Sequence, residues 1–188
     1  MKIALVGSHG VGKTTLCFEL AAALKRRNAD VEMVREVARR CPLPINQETT
    51  VAAQEWILHT QIAWEIDATG NSEVVLCDRS VLDNYCYLVH AAGSLRAWES
   101  FIDHWMPSYD VLVHVPISER PSFDGVRAVD PTFQQVIDVL LEGMIAARGL
   151  TPLRLEPSER EGWCGVIVEA LLPMLEPTLP LFEGDSGS

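Results

Sequence analysis

Basic residues are scarce in this sequence, and long apolar runs are absent. Among 188 residues, 15 Lys and Arg stand against 26 Asp and Glu, which gives a net charge of −11. A nucleic-acid groove needs a basic face, so this charge counts against nucleic-acid binding. No apolar run reaches the roughly 20 residues of a membrane span, and the opening MKIALVG is too short for a signal peptide. We therefore expect a cytoplasmic protein without a membrane partner.

The five cysteines include no pair with the CxxC spacing of a zinc or redox site. Several cysteines lie in apolar runs, which indicates free buried thiols in a reducing compartment. The histidines show no metal-ligand spacing, so we expect no zinc. With 48% hydrophobic and 22% charged residues, the chain has the composition of one soluble domain with a real core.

Short apolar runs alternate along the chain with longer helical patterns. Strands separated by helices indicate an α/β fold, in which a parallel sheet is covered by helices on both faces. Asp130 followed by Pro131 is typical of a helix N-terminus. The predicted strands are Lys2–Gly7, Val31–Arg35, Glu73–Cys77, Asp110–Val115 and Pro152–Leu155.

The segment GSHGVGKTT, residues 7–15, matches the phosphate-loop pattern GxxxxGK[ST] in full, between a strand and a helical pattern. Its glycines let backbone N–H groups point at a phosphate, and the helix N-terminus adds partial positive charge. We expect Lys13 to reach the β- and γ-phosphates of ATP and the Thr14 hydroxyl to bind Mg²⁺. The alternative is a turn that only packs a helix on a strand. The predicted ATP-binding residues are Gly7, Gly10, Val11, Gly12, Lys13, Thr14 and Thr15.

Several classes of phosphate-loop protein are excluded by motifs that the sequence lacks. A small GTPase needs a guanine-reading NKxD after a later strand, and none is present. Its DxxG switch should directly follow a strand, whereas DATG at residues 67–70 lies at the end of a helical pattern. A full AAA+ motor or helicase needs more chain and further arginine motifs. Small kinases and some uncharacterised ATPases remain.

Charged residues follow the second and third predicted strands. VREVARR ends the second strand with Arg35 and Glu36, and VVLCDRS ends the third with Asp78 and Arg79. In a parallel sheet these ends lie on one edge, beside the phosphate loop. Kinases of this architecture need acceptor-facing groups at the end of the second strand, and a carboxylate with an arginine at the end of the third.

Such a kinase also needs a cationic lid, because water in the site would otherwise accept the phosphate. The segment ISERPSFDGVRAVDP follows the fourth strand and carries Arg120 and Arg127, so we expect a lid at about residues 117–130. Residues 1–172 form the predicted kinase-like domain. Residues 173–188 form a Pro-rich tail that we expect to be partly disordered.

These motifs resemble those of P-loop nucleoside and nucleotide kinases. DRS after the third strand is similar to the DR motif of thymidylate kinases and the ERS of deoxynucleoside kinases. REVAR resembles a REYAR-type segment of the domain that phosphorylates nicotinamide riboside, and DGVRAVDPTFQQVIDVLL is similar to that domain's lid and following helix. The order of the motifs agrees over about residues 1–170. The resemblance implies a three-layer P-loop NTPase fold with a five-stranded parallel sheet in the order 2-3-1-4-5.

The resemblance also implies roles for single residues. Lys13 and Thr14 match the phosphate and magnesium positions. Asp78 matches a carboxylate near Mg²⁺ or the acceptor hydroxyl, and Arg79 an arginine that bridges the acceptor and the transferring phosphate. Glu36 matches an acidic position in the acceptor pocket. Arg127 and Arg120 match lid arginines, and Arg127 fits better. After the second strand, thymidylate kinases have a sequence closer to REPGG, whereas this chain has REVARR. The resemblance therefore does not specify which nucleotide or nucleoside is the acceptor.

The helical segment QEWILHTQIAWE is a candidate wall of the acceptor pocket. Gln54 and Gln61 are seven residues apart and share one helix face, with Trp64 one turn from Gln61. An amide beside an aromatic ring can read and stack a flat heterocycle. The alternative is that this helix only packs, in which case its ordinary buried stripe is Trp56, Ile57, Ala63 and Trp64.

The sequence therefore favours a Mg·ATP-dependent kinase that acts on a small, nucleoside-like acceptor. Two other hypotheses remain: an ATP-binding regulatory switch without a small-molecule acceptor, and a polynucleotide end kinase, against which the acidic charge counts. The identity of the acceptor and the oligomeric state, including a homodimer, are left open.

Overall fold

The computed structural model describes residues 1–45, 49–118 and 130–175. Most of the predicted lid, with Arg120 and Arg127, lies outside these residues, as does the end of the predicted tail. The strands are β1 (Lys2–Val6), β2 (Val31–Val34), β3 (Val74–Cys77), β4 (Val111–His114) and β5 (Leu153–Arg154). The helices are α1 (Lys13–Lys25), α2 (Val51–Asn71), α3 (Val81–Ala92), α4 (Arg96–Trp105), α5 (Pro131–Ala147) and α6 (Trp163–Leu175).

The five strands form one parallel sheet in the order β2-β3-β1-β4-β5, which confirms the predicted fold. Each strand lies within one residue of its predicted bounds at either end. In the sheet register Cys77 pairs with Val34 and with Ala4, and Val6 pairs with His114. The carboxyl ends of the central strands therefore meet at one edge, where the segments rich in charged residues begin.

The sheet separates two hydrophobic layers because successive strand residues point to opposite faces. Ile3 and Leu5 of β1 pack with α1 and α6, whereas Ala4 and Val6 pack with the layer that α2, α3 and α5 form. The three layers of the predicted fold are thus helices, sheet and helices. Among the described residues, no helix combines the length and apolar character needed to cross a bilayer.

The helix ends follow local side-chain chemistry. Asp130 caps α5 by accepting a hydrogen bond from the Thr132 N–H, and Pro131 is the first helical residue, as predicted. Helix α6 continues through Pro173 to Leu175, so the predicted boundary between domain and tail falls inside a helix. A proline is tolerated there because an amphipathic face, with Ile167 and Leu171 buried, holds the helix on the sheet.

Candidate active site at the carboxyl edge of the sheet

The phosphate loop joins β1 to α1 through glycines that the backbone requires. Gly10 and Gly12 have φ angles of 76° and 94°, in the left-handed region that side chains disfavour. A Cβ atom at Gly7 would lie 2.5 Å from the backbone oxygen of Val115, so only glycine allows this approach of loop and strand end. The loop thus has the open backbone curve that a phosphate cradle needs.

Lys13 is buried and turned towards its own loop. Its Nζ donates to the backbone oxygens of Gly7, at 2.6 Å, and of Ser8, at 2.5 Å. Burial, assisted by the positive charge of Arg79, lowers the pKa of Lys13 to about 7. A polyanion in the loop would offer better acceptors and would raise this pKa again. The lysine is therefore placed to respond to a bound phosphate.

Thr14 and Asp78 bring two hard oxygen atoms together. The Thr14 hydroxyl donates a 2.6 Å hydrogen bond to Asp78 Oδ2. Burial raises the pKa of Asp78, and the hydrogen bond from Thr14 partly opposes this rise. A hydroxyl and a carboxylate are ligands that Mg²⁺ prefers, usually together with water and phosphate oxygens. The two residues are suited to hold Mg²⁺, and the magnesium site itself stays a prediction.

Arg79 and Glu36 form a buried ion pair at the ends of β3 and β2. Nε and Nη2 of Arg79 lie 3.0 and 2.9 Å from Glu36 Oε1. Arg39 holds the second carboxylate oxygen, with its Nε 2.9 Å from Oε2. The Arg79 guanidinium also lies over the ring of Tyr87, 5.2 Å from its centroid. This arrangement fixes a cation beside the phosphate loop.

A cavity opens between this ion pair and the first turns of α3. Its volume is about 40 Å³, well below the several hundred Å³ of a typical small-molecule site. A ligand of nucleoside size therefore requires the walls to move apart. The residues that line it include Arg79, Glu36, Gln54, Ile57, Asn84 and Tyr87. We call it the acceptor cavity.

Two buried donors of the acceptor cavity have no hydrogen-bond partner within the described part of the chain. They are Nη1 of Arg79 and Nδ2 of Asn84. A buried donor without a partner is unfavourable, so both atoms favour a ligand that brings acceptor oxygens or ring nitrogens. Sequence reasoning missed Asn84. The available signal was a polar residue in the first turn of a helix that directly follows the DRS motif.

The predicted acceptor residues of α2 divide into two groups. Gln54 lines the acceptor cavity, and its Nε2 donates to Thr49 Oγ1 at 2.6 Å. Gln61 is fully buried behind the cavity, where its Nε2 donates to Glu65 Oε1 and to the backbone oxygen of Arg79. The buried stripe of α2 thus includes polar residues, while Ala63, expected to be buried, is exposed.

Arg35 lies apart from the acceptor cavity, although the sequence predicts an acceptor contact for it. Its guanidinium is 5.5 Å from the ring centroid of Phe18, on the α1 side of the sheet. Neighbouring residues at the end of a strand point to opposite faces, so Glu36 turns towards the cavity and Arg35 away from it. The structure thus keeps Glu36, but not Arg35, among the residues beside the cavity.

Asp83 links the phosphate loop to the strand end. Its Oδ1 accepts a 2.8 Å hydrogen bond from the Gly7 N–H, and its Oδ2 accepts from the N–H and the hydroxyl of Ser80. Ser80 in turn caps α3, so Ser80 and Asp83 form a capping box. The pattern S-x-x-D in the sequence carries this signal. One carboxylate therefore holds the start of the loop and the DRS segment in register.

A second recess, of about 320 Å³, lies beside the phosphate loop. The residues that line it include Gly12 and Thr15 on one hand and Arg160 and Trp163 on the other. A guanidinium nitrogen of Arg160 lies 3.0 Å from the position that a Cβ of Gly12 would occupy. The loop thus contributes to both spaces: His9 lines the acceptor cavity, and Gly12 lines this larger recess.

Comparisons with known proteins agree with this architecture. A sequence model described as an AAA domain matches residues 2–161, and no curated protein matches the chain. The structure is similar to deoxyadenosine kinase from M. mycoides with the products dCMP and a flexible dCDP, and to the same enzyme with dATP. In both comparisons identity is 17% and the TM-score 0.63, over 91% of this chain and 98% of the other. The dCTP-bound form gives 14% identity and a TM-score of 0.62. At this level of sequence identity, the structural similarity shows a shared fold.

Proposed function

The chain belongs to the AAA-domain family that matches it, with a P-loop nucleoside kinase-like fold, and we propose that it is a Mg·ATP-dependent kinase with a small nucleoside- or nucleotide-like acceptor. The observation that carries this proposal is the position of Arg79. A nucleotide switch needs a phosphate loop and a magnesium carboxylate. It does not need a buried arginine that is paired with a carboxylate and lines a second cavity.

The donor side of the proposed reaction is the phosphate loop. Its backbone N–H groups and Lys13 hold the phosphates of ATP, and the nucleoside part extends into the recess by Arg160 and Trp163. Thr14 and Asp78 are the proposed magnesium ligands, and a bound Mg²⁺ would neutralise charge on the β- and γ-phosphates. Lys13 leaves the carbonyls of its own loop and takes the phosphates as partners.

The acceptor side is the cavity beside Arg79. Arg79 neutralises charge on the phosphoryl group as it moves from donor to acceptor, which is where most catalysis of this reaction comes from. Glu36 holds Arg79 in place and has a carboxylate beside the cavity to orient an acceptor hydroxyl. Asp78 is the other candidate for that role. A loose transition state needs little help from a general base. We therefore assign to this carboxylate the orientation of the acceptor hydroxyl and not the removal of its proton.

The lining of the acceptor cavity favours a flat, polar heterocycle. Ile57 and the Tyr87 ring supply apolar surface, and the amides of Gln54 and Asn84 supply donors and acceptors. This combination suits the base of a nucleoside better than a sugar or an aliphatic alcohol. The likeness in fold to a deoxynucleoside kinase supports the same class of acceptor. Arg120 and Arg127 remain our proposed lid arginines.

Acceptor-stimulated release of ADP tests this proposal. The purified protein with Mg·ATP is offered deoxyadenosine, deoxycytidine, thymidine, nicotinamide riboside, nucleoside monophosphates and a 5′-hydroxyl oligonucleotide, with Lys13→Ala as the control. We expect at least one nucleoside or nucleotide to raise ADP release in the wild type alone. Slow hydrolysis that no acceptor stimulates would favour the regulatory switch, and stimulation by the oligonucleotide alone would favour the end kinase.

A further inference from the structure

The peptide groups of residues 79–81 are held by side chains from outside the acceptor cavity. The backbone oxygen of Arg79 accepts a 3.0 Å hydrogen bond from Gln61 Nε2. The Ser80 N–H donates to Asp83 Oδ2 at 2.9 Å, and the Val81 N–H donates to the Tyr109 hydroxyl at 3.0 Å. Backbone groups of three successive residues are thus fixed by three different elements of the fold.

Two of these three anchors converge on one atom. Gln61 Nε2 and the Tyr109 hydroxyl both donate to Glu65 Oε1, at 2.8 and 2.6 Å. The other oxygen, Oε2, accepts from Lys2 Nζ at 2.8 Å and from Trp105 Nε1 at 2.9 Å. Glu65 has no exposed surface, and these donors satisfy both carboxylate oxygens.

The charge of this carboxylate is matched within the same group. Lys2 is its cation, and the Lys2 ammonium lies 4.7 Å from the Trp105 ring centroid and 4.4 Å from that of Tyr109. Aromatic faces stabilise a buried cation in this position. Four donors satisfy both oxygens of Glu65, while Gln61 Oε1 lacks a hydrogen-bond partner among the described residues. A buried carboxylate held in this way favours one arrangement of the groups bonded to it.

From these contacts we infer that Glu65, Gln61 and Tyr109 position Arg79 for its work on the acceptor. None of the three lines the acceptor cavity, so they act through the backbone of the DRS segment and not by touching a substrate. This inference rests on the proposed kinase function, in which Arg79 contacts the transferred phosphoryl group. It assigns Gln61 a positioning role in place of substrate binding.

The physical reason is that the Glu36 ion pair fixes only the tip of the Arg79 side chain. An arginine side chain is long and flexible, and a small displacement of its backbone lets the guanidinium tilt. A misplacement of about 1 Å can cost about a hundredfold in rate. Hydrogen bonds at Arg79 and Val81 remove that freedom at the base of the side chain. The phosphate loop is held separately, by Asp83 at Gly7.

Two conservative variants test the inference. Gln61→Met keeps the volume of the side chain and removes both of its hydrogen bonds. Tyr109→Phe keeps the ring over Lys2 and removes the hydroxyl. Ile167→Val, which trims a fully buried side chain in α6 on the opposite face, is the control for general loss of packing. The full chain is used throughout.

The direct readout is hydrogen exchange of the Arg79 Nε–H and the Val81 amide, followed by NMR of nitrogen-labelled protein. We expect exchange at the Arg79 Nε–H to rise by about tenfold or more in Gln61→Met and Tyr109→Phe, and to stay unchanged in Ile167→Val. A rise at the Val81 amide alone shows only the loss of its own acceptor. With deoxyadenosine as the probe acceptor, kcat/KM for the acceptor should fall about tenfold or more, while the Kd of Mg·ATP changes less than about threefold.

Exchange that is unchanged in both variants, or that rises equally in Ile167→Val, would overturn the inference. An equal loss of Mg·ATP affinity would also overturn it, because the network would then support the whole site. Failure of the proposed function has a separate signature: the wild type phosphorylates no acceptor, yet the exchange pattern at Arg79 and Val81 still follows the variants.

Discussion

The hydroxyl of Thr14 donates a 2.6 Å hydrogen bond to Oδ2 of Asp78, and this contact joins the first turn of α1 to the end of β3. It brings the phosphate loop and the DRS segment together, with the proposed magnesium ligands on opposite sides of the junction. Arg79 follows directly and turns into the acceptor cavity. One backbone segment thus serves both halves of the proposed reaction.

The raised pKa of Asp78 predicts that the gain in ATP affinity caused by Mg²⁺ depends on pH. Because burial raises this pKa, protons compete with Mg²⁺ at a higher pH than they would at an exposed aspartate. We expect the gain in ATP affinity that Mg²⁺ gives to shrink as the pH is lowered, and to do so at a higher pH than it would with an exposed aspartate. Titrations with and without Mg²⁺ at each pH measure this gain, and Asp78→Asn should show little gain at any pH.

Lowering the pH has the opposite effect on the stability of the free protein, whose free energy of unfolding gains from protonation of Asp78. Since the folded pKa of Asp78 is raised, its ionised form disfavours folding, and its protonation at low pH relieves that cost. If the gain in ATP affinity that Mg²⁺ gives stays constant in the wild type as the pH is lowered, Asp78 does not belong to the magnesium site.

The lowered pKa of Lys13 predicts that the protein takes up a proton when it binds ATP. This pKa is lowered to about 7 by burial, so at about pH 8 most of the free protein carries a neutral lysine. Phosphates favour the ammonium form, so binding should take up ~0.9 proton per ATP at that pH. Calorimetry in buffers of different ionisation enthalpy measures this number. The uptake should disappear in Lys13→Met, and binding of ATP without uptake in the wild type would contradict the account.

Arg79→Ala should separate the two substrates. We expect acceptor-dependent turnover to fall by about a hundredfold to a thousandfold, because a cation on the transferring group is lost. The Kd of Mg·ATP should change by less than about threefold, since Lys13 and the loop remain. Arg39→Ala is the matched control: it removes the other, more exposed partner of Glu36 and should have a smaller effect. If ATP binding falls in parallel with turnover, Arg79 belongs to the donor site.

Asp83→Ala should weaken both the fold and the nucleotide site. It leaves the buried N–H groups of Gly7 and Ser80 without an acceptor, which should cost about 2–4 kcal/mol of unfolding free energy. The Kd of Mg·ATP should rise, because the start of the phosphate loop loses its anchor. Thr50→Ala removes only the N-cap of α2 and should cost about 1 kcal/mol. Denaturant unfolding and ATP titration of both variants check this. If Asp83→Ala binds Mg·ATP as tightly as Thr50→Ala does, Asp83 does not anchor the phosphate loop.

The fold could be predicted because it depends on local signals. Apolar runs, helical periodicity and one complete GxxxxGK[ST] motif placed all five strands. The resemblance of the motifs gave the sheet order, which the structure confirms. The capping chemistry at Asp130 is equally local. The end of α6 was harder, because a proline normally marks a helix boundary, whereas packing of the apolar face carries this helix past Pro173.

The candidate site was predictable at strand ends and less so between elements. The sequence shows that Glu36 and Arg79 lie at one edge, but their ion pair depends on the side-chain directions of two strands. Arg35 illustrates the limit, since one residue of register turns it to the other face. Glu65 bonds residues that are as far apart in the sequence as Lys2 and Tyr109, and no local sequence pattern predicts such contacts.

Transfer of the γ-phosphate from labelled ATP to a nucleoside acceptor tests the central claim most directly. Wild-type protein and Arg79→Ala are incubated with γ-labelled Mg·ATP and the acceptor panel, and the products are separated by chromatography. Phosphoryl transfer by a kinase predicts a labelled, phosphorylated acceptor with the wild type and almost none with Arg79→Ala. Label that appears only as inorganic phosphate, in equal amounts with both proteins, would contradict the account.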